Sequence, residues 1–343
     1  MNSKDLKKLI LIVLTLMVGS CSSESIFSQL SKLQKISSDN NTLDSSSPNG
    51  VSLVDNTLYI AAMHLFKKEN GNVERVNFSD SYEFVIDLVN ILGKTYLLAQ
   101  SKEGKLELYI LENDKWKLMF QKNLNAIKFL KSIDATEVKS AYILASEENG
   151  NQIILDINGG NRTPAGTHKG DKFYQISNEH QLITGRFSKI WKLDNGEPVH
   201  ANSKNEIMPI IDTNIRGFSE TLIMTGGGYS DSSDNKLAMY SSIDNYQEPV
   251  FNREDIGGFV AYFAREVNGT IVIGSNNGFV ELVKGEGTFD LQSPSKSVSQ
   301  GSYNASQLSK TKLNNIIPMN GKTYILTQGK GLWKIENNEL TKE

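Results

Sequence analysis

The side chains able to do chemistry are few and scattered. Four histidines, His64, His168, His180 and His200, occupy separate stretches with no HxH or HxxxH pair, and Cys21 is the single cysteine. A zinc site needs several convergent nitrogen and sulfur ligands, so surface or loop histidines are expected and no metal. The stretch 226–235 (GGGYSDSSDN) offers clustered oxygens through Asp231 and Asp234. It lacks the ligand spacing of a calcium-binding helix–loop–helix and reads as a solvated hairpin loop. There is no GxSxG elbow, and Gly226-Gly227-Gly228 lacks the lysine of a phosphate-binding loop. With no nucleophile and base to name and no cofactor implied, these residue types point to binding.

The lone cysteine gains meaning from its position. Lys4, Asp5, Lys7 and Lys8 precede an apolar run at 9–18 (LILIVLTLMV), and Gly19 and Ser20 lead into Cys21. A charged start, a short apolar run and small residues make a secretory signal. The run is shorter than the ~20 residues that span a bilayer. The segment Val18-Gly19-Ser20-Cys21 resembles the lipobox of bacterial lipoproteins. That resemblance implies cleavage before Cys21, a thioether-linked diacylglycerol on its sulfur and an acylated amine. The implied location is a bacterial membrane outside the cytoplasm, with Ser22 in place of Asp favouring the outer membrane. Buried acyl chains contribute about 0.8 kcal/mol per CH₂, so several chains anchor the protein firmly.

The net charge of −3 becomes −5 once the signal, which carries a net +2, is removed. Such a chain has no electrostatic footprint for nucleic acid. A hydrophobic content of 38% is enough for a packed core, and without disulfides that core must hold the fold. Residues 21–49, rich in Ser, Asn and Asp, read as lipid anchor and flexible tether. Residues 50–343 read as one repeat domain.

The repeat decides the fold. Short apolar runs recur at 58–62 (LYIAA), 96–100 (YLLAQ), 142–146 (YILAS), 182–186 (LITGR), 222–226 (LIMTG), 271–275 (IVIGS) and 324–328 (YILTQ), at spacings of 38, 46, 40, 40, 49 and 53 residues. A second element follows each, as in Trp191-Lys192-Leu193-Asp194-Asn195 and Trp333-Lys334-Ile335-Glu336-Asn337. Further apolar runs flank these pairs, so each unit holds four short strands within roughly 40–45 residues, the size of a propeller blade. The expected fold is all-β, a seven-bladed β-propeller of short antiparallel strands. Its ring must close between the two ends of the chain. The last fourth strand is either 339–343 or a strand lent by the N-terminal segment.

The motif GKGLWKIENN at 329–338 resembles the repeats of propellers in periplasmic two-component sensor kinases. MYSSIDNYQE at 239–248 resembles, through Ser242 and Asp244, a degenerate Asp box of sialidase-like propellers. Enzymes of that kind hold a substrate carboxylate with three arginines, and Arg186, Arg216 and Arg265 stand on successive units. A glycan-processing hydrolase is therefore the alternative. It wants a positioned nucleophile and acid, which this sequence does not supply. The preferred expectation is a lipid-anchored scaffold that binds an envelope protein or glycan. Its candidate face holds Arg186, Arg216 and Arg265 with Tyr229, Asp231 and Asp234 of the longest second-to-third-strand loop, 227–238.

Overall fold

In the first, second, third and seventh units the repeated runs are largely buried on both faces, which is why they read as continuous apolar stretches without alternation. In the computed structural model, the described residues are Leu43, 46–133, 137–163, the strands at 173–176, 182–185, 190–192, 198–199, 210–212, 223–225, 237–240, 251–253, 261–267, 270–275, 278–284 and 289–292, Leu308, 311–337 and 339–343. Every run that repeats in the sequence falls on the second strand of an antiparallel sheet: Thr57–Ala62, Lys94–Ser101, Val138–Ser146, Leu182–Gly185, Ile223–Thr225, Thr270–Ser275 and Lys322–Thr327. Among the described residues, seven sheets follow one another in chain order. Six have four strands and the third has three, Asn125–Ile133, Val138–Ser146 and Gln152–Leu155, with a single bridge from Leu155 to Asn161. Within each sheet the strands pair in sequence order, as in the second: Tyr82–Ile91, Lys94–Ser101, Leu106–Glu112, Lys115–Lys122.

Tight turns join these strands. Asp55 (φ 48°) and Asn56 (φ 78°), Asn320 (φ 50°) and Gly321 (φ 73°), and Leu92 (φ 49°) and Gly93 (φ 79°) all take the left-handed conformation. A type I′ hairpin turn requires that at both central residues. The sequence marks two of the three with Asn or Gly pairs; in the third, Leu92 bears the strain on a bulky side chain.

The first strands of the sheets pack against each other in turn. Gly50–Val54 meets Tyr82–Ile91, which meets Asn125–Ile133, followed by Phe173–Ile176, Ile210–Asp212 and Ala261–Val267. The sixth sheet then reaches Leu313–Met319 through Thr270–Ser275, and Leu313–Met319 returns to Gly50–Val54. The fold is thus an all-β propeller whose sheets surround a common axis, with both sheet faces covered.

The seventh sheet uses its own Glu339–Lys342 as fourth strand, so no strand is lent. The N-terminal segment closes the seam in another way. Leu43 is buried at 4% exposure. Gly331 N donates to Ser46 O (3.0 Å), Gly329 N to Ser47 Oγ (3.0 Å), and Asn314 Nδ2 to Pro48 O (3.0 Å). The end of the segment read as tether is therefore part of the ring. At the rim of the seam Lys68 Nζ reaches Glu343 Oε2 at 2.6 Å, and Lys334 Nζ lies 3.0 Å from Glu343 Oε1.

One apolar cluster runs through the first, second, third and seventh sheets, joining Ile60, Leu98, Ile143 and Leu326, none of them exposed. Each such side chain contributes roughly 1.5–3 kcal/mol by leaving water.

Candidate functional site

A defect repeated in the innermost strands positions the site. The inner strand skips one residue against its partner at Ile86, Ile127, Tyr174, Ile211, Tyr262 and Asn314, in the second to seventh sheets. A β-bulge of this kind bends the strand and re-aims the next side chain. The next residues are Asp87, Lys128, Gln175, Asp212, Phe263 and Asn315, and Val51 holds the same register in the first sheet. These positions form one tier around the axis, and most of them are polar or charged.

Asp87 is the hub of the described part. It is 3% exposed. Its Oδ1 accepts from Leu88 N (2.7 Å) and from Lys131 Nζ (2.5 Å), and its Oδ2 accepts from Phe129 N (2.9 Å). Lys131 Nζ also donates to Asn49 O at 3.3 Å. Asn49 Nδ2 donates to Ile86 O (3.1 Å), and Asn314 Nδ2 lies 3.3 Å from Asn49 Oδ1. The network therefore links the inner strands of the seventh, first, second and third sheets. Asn315 repeats the Asp87 geometry, its Oδ1 accepting from Ile316 N at 2.9 Å. Gly50 permits the close approach: a Cβ there would lie 2.4 Å from both Leu88 N and Leu88 O.

Burial drives the electrostatics of this rim. It pushes the Asp87 carboxyl up, while the Lys131 ammonium and the N–H groups of Phe129 and Leu88 pull it back. The Lys128 ammonium is pushed down to about 8 by burial, with Asp87 opposing the shift and Lys131 adding to it. Burial also lowers Lys312, beside the start of the seventh inner strand. Such a rim can hold hydrogen-bonding or anionic groups.

A second polar cluster lies farther out in the second sheet. Glu107, 1% exposed, accepts hydrogen bonds from Ser81 Oγ (3.0 Å), Tyr109 OH (2.7 Å) and Gln121 Nε2 (2.9 Å). Phe78 stacks on Tyr82 beside it at 4.4 Å between centroids. This cluster fixes the crossover into the second sheet.

The residues singled out from sequence fare unevenly. Cys21, Arg186, Arg216, Tyr229, Asp231 and Asp234 lie outside the described residues, as do His168, His180 and His200. Arg265 is on the sixth inner strand, buried at 5% exposure. Its register place, opposite Val272, is taken by Leu53, Val89, Leu130 and Ile317 in other sheets. Arg265 thus belongs to the packed wall. His64, expected at the surface or in a loop, is a half-buried strand residue edge-on to Tyr82 at 6.5 Å. Among the described residues no His, Cys, Asp and Glu group suited to a metal is found, and no helix is long and apolar enough to cross a membrane. The tier itself was missed. Its signal is the polar residue after an apolar one in the runs before each repeat: Ile86-Asp87, Ile127-Lys128, Tyr174-Gln175, Ile211-Asp212.

No known family profile matches the chain. A protein of Borreliella burgdorferi described as uncharacterized is 56% identical over 341 residues, covering 98% of this chain and 97% of that protein. The chain belongs to that protein's family. Among solved structures, a chain of the mitotic checkpoint complex superposes with a TM-score of 0.52 at 10% identity, over 85% of this chain and 90% of that one. The extracellular domain of a putative hybrid two-component system from B. thetaiotaomicron also gives 0.52, at 13% identity, over 84% of this chain and 39% of the longer partner. At such identities the likeness concerns the propeller fold alone.

Proposed function

We propose that this chain is a seven-bladed β-propeller, held at a bacterial membrane by lipid on Cys21, that works as a non-catalytic scaffold or adaptor for an envelope protein or glycan. The observation that supports this reading most is the tier of polar and charged side chains around the axis, pinned by Asp87 and Lys131. Groups already held in place lose less entropy when a ligand arrives. The proposed face adds Arg186, Arg216, Tyr229, Asp231 and Asp234. Ile223–Thr225 ends, and Leu237–Tyr240 begins, at the end of the ring where the inner strands begin. Arg265 supports this face from within the wall.

Site-specific photocrosslinking in cells tests the face. A crosslinker at Tyr229 should give adducts that weaken with Arg216→Ala, and one at Leu92, at the opposite end, should give none. Adducts from position 92 alone would move the binding face. Labelling with an alkyne fatty acid should mark the protein and be lost on Cys21→Ser; an unlabelled wild type would remove the anchor from the proposal.

A further inference from the structure

Open edges of β-sheets are blunted by shortness, by charge or by a bulge, because an exposed row of N–H and C=O groups recruits other strands. Most outer strands here are blunted by shortness: Asn72–Arg75, Phe289–Gln292 and Glu339–Lys342 have 4 residues each, and Phe251–Arg253 has 3. The outer strand of the second sheet, Lys115–Lys122, has 8. Among the described residues it pairs only with Leu106–Glu112 and ends the sheet.

That strand also carries apolar surface. Leu118 is 46% exposed and Met119 38%. The pairing jumps from Leu108 opposite Phe120 to Tyr109 opposite Leu118, which leaves Met119 as a bulge. Cations flank this centre. Lys115 and Lys117 are exposed on one side, with Glu112 within 3.5 Å of Lys117. On the other side an open depression of about 480 Å³ is lined by Lys105, Gln121, Lys122, Asn123 and Leu124. Nearby carboxylates are Glu103, which pairs with Lys105 at 2.5 Å, and the buried Glu107.

We propose that Lys115–Lys122 is a docking edge for an extended segment of a partner protein, which adds as a fifth strand to the second sheet. The segment would place an apolar centre over Leu118 and Met119, with Asp or Glu toward Lys115 and Lys117 at one end and toward Lys105 and Lys122 at the other. Main-chain bonds give such an interface its affinity, and alternate side chains give its selectivity. Charge argues against a second copy of this chain as occupant, since antiparallel self-pairing centred on Leu118 and Met119 sets Lys115 against Lys122. This surface is separate from the axial rim and does not depend on the lipid anchor.

The test uses the whole folded chain and a capped synthetic octapeptide with glutamates at both ends and valines at its centre, read by fluorescence anisotropy. Saturable binding is expected. A peptide with lysines for the glutamates should bind at least tenfold more weakly, and so should one N-methylated at alternate amides. The Leu118→Lys, Met119→Lys double variant should lose at least tenfold in affinity with an unchanged unfolding midpoint, since both side chains are exposed. No saturable binding of the glutamate peptide, or equal binding of the N-methylated peptide or by the double variant, would overturn strand addition here. Dimerisation in sedimentation that disappears in the double variant would assign the edge to a second copy, and so overturn the partner proposed.

Discussion

Removing the ammonium that Asp87 bonds leaves a carboxylate at 3% exposure with backbone donors and the field of the Lys128 ammonium. Breaking one side of a buried ion pair costs about 3–5 kcal/mol, because the remaining charge is stranded. Lys131→Met should therefore lose stability on that order in urea unfolding. Asp87→Asn added to it should recover part of the loss, as the stranded charge goes. A loss below about 1 kcal/mol would mean the pair does not tie the inner strands. His64 makes a separate prediction. Burial, with Arg75 adding to it, lowers its imidazole from 6.5 to about 4. The unfolded chain then binds more protons than the folded one between those values, so stability falls as pH drops from 6.5 towards 4. At ~1.4 kcal/mol per unit the effect is at most roughly 3 kcal/mol, reduced because the ring is only half-buried. His64→Gln should flatten that acid limb; an unchanged slope would assign it to other groups.

At the scale of the element, the sequence discloses what depends on local pattern. The second strands are legible because burial on both faces demands unbroken apolar runs, as at 96–100, and all seven such runs are strands. Turns are legible where Asn or Gly supplies positive φ, as at Asn320-Gly321, and less so at Leu92-Gly93, where a leucine takes φ 49°. The bulges are hidden, because a skipped residue shows only once a partner strand sets the register. Ile86-Asp87 looks like an ordinary strand pair until Val85 opposes Ala99 and Asp87 opposes Leu98. The same holds for Gly50, whose need for no Cβ comes from Leu88, distant in sequence but adjacent across two sheets. Arginines on successive units suggest a shared ligand, but the register of Arg265 is a wall position that other sheets fill with aliphatic residues. The polar tier was thus not legible as a site, because only the register set by the partner strands brings its residues to one level.

At the scale of the molecule, a ring has one seam, where packing is not supported by chain continuity. Here three kinds of contact hold it. Residues 46–49 bond to Gly329, Gly331 and Asn314. Leu340, wholly buried, sits in the core shared by the sixth and seventh sheets and so backs the seam from the seventh side. Lys68 of the first sheet meets Glu343, whose carboxyl the ammoniums of Lys68 and Lys334 hold below the usual carboxylate range against the upward push of burial. Deleting 339–343 removes the second and third of these and leaves the strand Leu332–Glu336 as a bare edge. Loss of Leu340 alone should cost about 2–5 kcal/mol. The larger effect is on cooperativity, since an open ring exposes two sheet faces and its ends can unfold without the middle. Amide exchange should therefore quicken at Ile60 and Ile325, in the two seam sheets, well before Leu97 and Leu144. A deletion variant that keeps one sharp transition and uniform exchange would show that residues 46–49 suffice to shut the ring, and that the C-terminal strand is only a rim.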